Sequence, residues 1–333
     1  MRRRDLLFAA AASALSCSSP KPQGRPVIQV SLNPHWSMSP TYLADELGFF
    51  RGAGFELKIH RLRHQQAVPL LLDGKLDVIY TALPPSIINA VSKGMAVRLV
   101  AAREYVNASC GDFLSLYMHR KSVPPGPVGP QHFRGKRFSV RKSTGSEFAL
   151  DVYLKHFGVA RSEIRTVPLD DRASAIAIAD GKIDGLIALE FGRSPAAQSP
   201  DVVRVIPFSD LKPELQYSFI YFGPRLTQGD VDTGARYLAA YLDGAQQFLA
   251  GKTPKYADEF VRELALDKDK ALNECRDTFQ PDGSISVDSV QQFIDWNLQR
   301  GYIDHPLPAS RLCDSRFIER AHQLRRDPNW RAL

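Results

Sequence analysis

Cysteine is scarce: the 333 residues hold four, Cys17, Cys110, Cys275 and Cys313, and no two of them form a Cys-x-x-Cys pair. That excludes the usual zinc and dithiol redox frameworks. The three beyond Cys17 read as small buried thiols, with one disulfide as the alternative in an oxidising compartment. Long apolar runs are also missing. After the first sixteen residues no segment approaches the ~20 apolar residues of a membrane-spanning helix. The formal charge is +7, and it falls to +5 without the first sixteen residues, which carry Arg2, Arg3, Arg4 and Asp5. The remaining basic residues form no concentrated stripe, and there is no basic helix or aromatic-basic interleaving, so nucleic acid is not expected as a partner. Neither a phosphate loop ending in Gly-Lys-Ser/Thr nor a Gly-x-Ser-x-Gly elbow occurs. "GAG" at Gly52 to Gly54 follows a helix instead of opening one, which rules out a dinucleotide fingerprint. No cofactor is expected.

What is present begins at the N-terminus. "MRRRDLLFAAAASALSC" has a basic start, an apolar stretch from Leu6 to Leu15 and small residues before Cys17, the layout of an export signal. Arg3 and Arg4 resemble a twin-arginine signal, and "ALSC" resembles a bacterial lipobox in which Cys17 would be lipidated. "SSPKPQGRP" then supplies a polar tether.

A phrase is written twice. "DGKLDVIYTAL" (Asp73 to Leu83) and "DGKIDGLIALE" (Asp180 to Glu190) lie 107 residues apart, and their flanks agree at that offset. Each half reads strand, loop, helix, aromatic-Gly, strand, helix, Gly-Lys, strand. The first runs from "VIQVSL" through "SPTYLADELGFF", "FELKIHRL" and "QQAVPLLLDGK"; the second from "KRFSV" through "EFALDVYLKHFG", "EIRTVPL" and "RASAIAIADGK". Ser39 is the expected N-cap of the first helix, with Pro40 at its first position. Alternating elements of this length predict two α/β lobes with largely parallel sheets. Beyond a strand-like return at "LQYSFIYFGP" the rest is helical, with Ser286 and Asp314 as expected N-caps. Asp77 and Asp184, in the repeated phrase, are read as serving the turns.

The residues also carry a resemblance. "PTYLADELGFFRGAGFELKI", "LLLDGKLDVIYTALPPSIINAVSKGMAVRLVAA", "FRGKRFSV" with "ADGKIDGLIAL", and "DGSISVDSVQQFIDWNLQRGYI" resemble periplasmic solute-binding proteins of ABC importers for sulfonates, nitrate, taurine and thiamine precursors. The resemblance runs from about Val27 to Ala321. It implies a two-lobed periplasmic-binding-protein-like α/β fold with a two-crossing hinge and a helical C-terminal extension. It further implies a monomer that closes on a small solute and delivers it to a membrane permease. The alternative is an enzyme on the same fold, similar to the thiamine-pyrimidine-precursor synthases, although their cysteine-rich run is absent. The expected map is 1–16 export signal, 17–26 tether, 27–115 with 220–333 one lobe, and 116–219 the other. The chain would cross near 105–125 and 208–224.

In such sheets ligands lie beyond the carboxyl ends of the strands. The candidates there are His35 and Trp36, which could bond and stack a planar ring; Tyr80 and Thr81, with hydroxyls; and Glu190, which could meet a cation. "RKSTGS" is the best local site. Ser143, Thr144, Gly145 and Ser146 stand where free amides and hydroxyls cradle an anion, with charge from Arg141 or Lys142. Tyr217 and Tyr221 are placed near the return crossing. His60 and His64, four apart with Arg61 and Arg63 between them, read as solvated basic surface and not as a metal site.

Overall fold

A computed structural model describes residues 25–32, 35–110, 114–123, 125–188, 199–263, 276, 278–327 and 329–330. The export signal, Cys17, Cys275 and Glu190 lie outside these residues. No described helix is long and apolar enough to cross a membrane.

The first half forms β1 (Val27–Ser31), α1 (Ser39–Glu46), α2 (Phe49–Gly52), β2 (Glu56–His60), α3 (His64–Leu72), β3 (Val78–Thr81), α4 (Pro85–Ser92) and β4 (Arg98–Tyr105). The second forms β5 (Ser115–His119), β6 (Arg137–Ser139), α5 (Gly145–His156), β7 (Arg165–Val167), α6 (Asp171–Ala179), β8 (Gly185–Ala188) and β9 (Val202–Arg204). Next come β10 (Gln216–Phe222), α7 (Pro224–Thr227), α8 (Val231–Leu249), α9 (Ala257–Glu263), α10 (Val287–Gln299), α11 (Ala309–Leu312) and α12 (Arg316–Arg326). One sheet is ordered β2-β1-β3-β10-β4 and the other β7-β6-β8-β5-β9. The two orders are equivalent strand for strand.

Neither sheet is as parallel as expected. β10 runs antiparallel to β3 and β4, and β5 antiparallel to β8 and β9. Each is the first strand after a crossing, so it enters its sheet from the edge where the parallel strands end. The crossings lie between Tyr105 and Ser115 and between Arg204 and Gln216, and they bond to each other. Val106 N–H donates to Leu215 O at 2.8 Å and Glu214 N–H to Val106 O at 2.9 Å. β10 lies wholly in the first sheet, so the return is complete a few residues before the expected boundary at 219.

The repeated phrase has the same job in both halves. α3 stops at Gly74 (φ +70°) and α6 at Gly181 (φ +67°), left-handed positions that glycine takes without a Cβ clash. Three residues on, Asp77 and Asp184 each reach back to the first strand of their half. Asp77 accepts from Gln29 N–H at 2.7 Å and Asp184 from Arg137 N–H at 2.8 Å. Their own amides return the bond, each at 2.8 Å, to Gln29 O and Arg137 O. Arg225 pairs with Asp77, and the Ser122 hydroxyl donates to Asp184 at 2.7 Å. Burial opposes ionisation of Asp184, but the Arg137 amide, the Ser122 hydroxyl and the Arg137 guanidinium together hold its carboxyl below the usual range. A carboxyl depressed in the folded state adds stability above its unfolded pKa, and that stability is lost as pH falls through the folded value. Asp184→Asn is therefore expected to cost about 1–2 kcal/mol at pH 7 and to converge on the parent only in strong acid, at about pH 2, once the folded carboxyl is protonated as well. Urea unfolding at both pH values reads this directly; a gap that is unchanged in acid refutes it.

Two side-chain clusters make most of the interior. One continuous cluster includes Leu99 and Phe219 of the first sheet with Leu116 and Phe138 of the second. The other lies under α1, α8 and α12, with Trp36, Tyr80, Tyr237 and Phe317. α8 approaches α1 closely because Gly244 has no side chain: a Cβ there would stand 2.3 Å from Pro40 O. Ser286 caps α10 by accepting from Ser289 N–H at 3.2 Å. The other two caps differ from expectation. Met38, not Ser39, is the N-cap of α1, because a 3-10 turn over Trp36–Met38 leads into it. α12 starts after Ser315, and Asp314 instead pairs with the Arg316 guanidinium at 2.7 Å. The thiol reading is corrected as well. Cys110 is disulfide-bonded, with its partner outside the described residues, and Cys313 is free. Burial pushes the Cys313 thiol up to about 12.

Candidate functional site

Two groups of residues sit at the carboxyl ends of the parallel strands, one on each sheet. The first is organised by Arg103, at the end of β4, which is 3% exposed. Its Nε and Nη2 donate to Ser218 Oγ at 3.1 and 2.6 Å, and its Nη1 donates to Ser37 O at 2.9 Å. Nη2 also reaches Ser37 Oγ at 3.2 Å and Glu104 Oε2 at 2.8 Å. Beneath the guanidinium, 5.3 Å from its carbon, lies the Tyr80 ring. Arg103 thus fastens the turn after β1 to the ends of β4 and β10.

Around it the expected residues divide. His35 is half-buried, and its Nδ1 lies 2.9 Å from Ser37 Oγ. Trp36 is 2% exposed and sets its ring edge-on to Phe248 at 5.3 Å, so the indole belongs to the lobe core and is not an open stacking platform. Tyr80 is also interior. Its hydroxyl accepts from Thr41 at 3.0 Å and lies 2.5 Å from that of Tyr237. Burial pushes the Tyr80 phenol up to about 12, so it stays protonated. Thr81 is half-buried at the end of β3. Tyr221 is fully buried and donates to Ala82 O at 3.0 Å, and Tyr217 is 5% exposed. At the end of the outer strand β2, His60 bonds Gln29 at 2.6 Å, and Arg61 pairs with Glu259. The described residues hold no cluster of metal-ligating side chains.

The second group is the turn from Arg141 to Ser146, between β6 and α5. Lys142 is exposed, and Arg141 and Ser143 to Ser146 are half-buried. Ser143 has φ +60°, a left-handed conformation uncommon outside glycine. Thr144 is the N-cap of the twelve-residue α5, yet its side chain makes no capping bond. Its hydroxyl turns back to Arg141 O at 2.7 Å and lies 2.9 Å from Ser146 Oγ. Glu147 and Phe148 N–H both donate to Thr144 O at 3.1 Å, so the helix presents the earlier amides, of Gly145 and Ser146, without an intrahelical acceptor and without a side-chain cap from Thr144. A Cβ added at Gly145 would meet nothing within 4 Å. Amides, three hydroxyls, an open glycine and two cationic neighbours on one turn suit a small anion.

Sequence reasoning missed two residues that shape these groups. Arg103 and Glu104 follow the apolar run Leu99–Ala102 in "RLVAAREY", and a charged pair near the end of a buried strand is a readable signal. Glu147 is fully buried and accepts from Ser143 N–H at 2.7 Å. Nothing local marks it, because its other partners lie more than ten residues away.

Two equivalent α/β sheets joined by paired crossings, with ligand-capable turns at the strand ends, define the two-lobed fold of periplasmic binding proteins. The chain belongs to the NMT1/THI5-like family, which it matches over residues 36–253. No curated protein matches it by sequence. Solved structures share the fold at low identity. The ligand-binding component of an ABC-type import system from Staphylococcus aureus superposes with a TM-score of 0.69 at 12% identity, covering 89% of this chain and 99% of that one. The alkanesulfonate-binding protein SsuA from Xanthomonas axonopodis pv. citri, bound to MOPS, gives 0.68 at 12% identity over 88% and 99%. The desulfurization enzyme DSZB gives 0.64 at 13% identity over 90% and 99%. The fold thus hosts both binding proteins and an enzyme, and function must be argued from the site.

Proposed function

We propose that this protein is the exported solute-binding component of an ABC-type importer and that it captures a small anion, or a heterocycle bearing an anionic group, for delivery to a membrane permease. The observation that carries this reading is the Arg141–Ser146 turn: an uncapped, half-exposed helix start flanked by Arg141 and the exposed Lys142. The fold shared with importer components supports it, and so does the bond at Cys110, since disulfides persist in oxidising compartments. Residues 1–16 would be the export signal, and Cys17 the point of lipid attachment.

The test is a thermal-shift screen of residues 25–333 against alkanesulfonates, nitrate, carboxylates and pyrimidines, with native mass spectrometry to detect carried-over solute. A solute at 100 times its Kd stabilises by ~2.7 kcal/mol, a rise of about 5 °C for a chain of this size. The expected result is a rise with one anionic class and none with neutral pyrimidines. A rise confined to neutral heterocycles would move the site away from this turn.

One observation favours the enzyme reading: His35 Nδ1 stands 2.9 Å from Ser37 Oγ, the pairing of a base with a hydroxyl nucleophile. Against it, Ser37 is buried and already receives Arg103 Nη2. Turnover of a bound solute, lost in Ser37→Ala, would establish it.

A further inference from the structure

Glu147 stands in the first turn of α5 and is fully buried, which demands compensation from several donors. It has four. Ser143 N–H donates at 2.7 Å, the Tyr302 hydroxyl at 2.8 Å, Arg300 Nη2 at 3.1 Å and Arg161 Nη2 at 3.2 Å. One turn on, Asp151 shares the same arginines. It takes Arg161 Nη1 at 3.0 Å, lies 3.5 Å from Arg300 Nε, and accepts from the Trp296 indole at 2.9 Å. Two carboxylates and two guanidiniums balance. Below them Phe148 packs on Phe293 at 4.4 Å and meets Trp296 edge-on at 5.6 Å.

The partners come from different parts of the fold. Glu147, Phe148, Asp151 and Arg161 belong to the half built on the second sheet. Phe293, Trp296, Arg300 and Tyr302 belong to α10 and the turn after it. That segment is fixed to the first sheet's half, where Ser289 Oγ accepts from Gln216 N–H at 3.1 Å and Asn89 reaches Tyr302 O at 3.5 Å. The Glu147 carboxylate therefore has its full set of donors only while the two halves are docked. The same carboxylate holds the amide of Ser143, whose left-handed φ sets the course of the chain into the uncapped helix start.

We propose that Glu147 is a positioning residue: it presets the Arg141–Ser146 turn for its ligand and, through Arg300 and Tyr302, makes the shape of that turn depend on docking of the two lobes. This rests on the reading of the turn as the anion site. A ligand that orders the turn favours the docked arrangement, and docking in turn favours the ligand, because the coupling is reciprocal.

The test uses Tyr302→Phe, which removes one donor and keeps the ring on Trp296. Arg300→Met/Asp151→Asn is the second variant; it removes the cross-lobe arginine while keeping the charge balanced. Three quantities are read on the mature chain: amide exchange over residues 141–150, the radius of gyration by small-angle scattering, and affinity for propanesulfonate. The first two need no ligand. Expected are exchange at Ser143 at least tenfold faster, a larger radius in the double variant, and propanesulfonate affinity about tenfold weaker with little change in Tm for Tyr302→Phe. Exchange and radius equal to the parent in both variants would overturn the proposal. So would a loss of affinity that simply tracks Tm. If the parent binds no propanesulfonate while exchange and radius respond as expected, the tie between turn and lobes stands and the sulfonate reading alone falls.

Discussion

Gly145→Ala is expected to weaken ligand binding by about 10- to 100-fold, a loss of about 1.4–2.8 kcal/mol, without lowering stability. The two effects separate because of where Gly145 sits. It is the first residue of α5, its φ is not left-handed, and an added methyl meets no protein atom within 4 Å. Replacing glycine by alanine in such a conformation adds up to about 1 kcal/mol of stability by restricting the unfolded chain. The same methyl would occupy the space through which an anion approaches the first-turn amides. Equal affinity in parent and variant, with the expected gain in Tm, would show that no ligand comes within van der Waals reach of this glycine.

Arg103→Met should have the largest effect on stability, about 4 kcal/mol, seen as a fall in Tm of about 8 °C or more. Removing the guanidinium takes the Arg103 ion pair from Glu104, whose side chain is 5% exposed, and releases the Ser37 and Ser218 contacts. The double variant Arg103→Met/Glu104→Gln also removes the buried charge that Arg103 had paired and should recover about half of the loss. Equal stability of the single and double variants would mean that Arg103 acts by packing on Tyr80 and not through its charge.

The repeat was legible because it is local. Helix, glycine stop, aspartate and buried strand follow within about twenty residues, and the offset of 107 carries from α3 and β3 to α6 and β8 without a slip. The role of the aspartates was legible only in outline, since the partners Gln29 and Arg137 are 48 and 47 residues away. β5 and β9 escaped notice because short strands that pair across the sheet leave little periodicity. The mixed character of both sheets follows from the crossings, which no strand pattern reveals. Among the candidate residues, the Arg141–Ser146 turn is legible as a strand-to-helix junction carrying hydroxyls, glycine and charge. The interior placement of Trp36 and Tyr80 was not legible for a physical reason: loop aromatics beside a strand end look the same in sequence whether they face a cleft or, as here, pack on Phe248 and Tyr237. Glu147 was invisible because its burial depends on Arg300 and Tyr302, which only the fold brings near.

Calorimetric titration of residues 25–333 with a graded series of anions, run in parallel on the parent and Gly145→Ala, bears most directly on the central claim. Saturable one-to-one binding of a single anion class to the parent is expected, with at least tenfold weaker binding to the variant. Saturation by a neutral heterocycle, or an anion bound equally by both proteins, would contradict it.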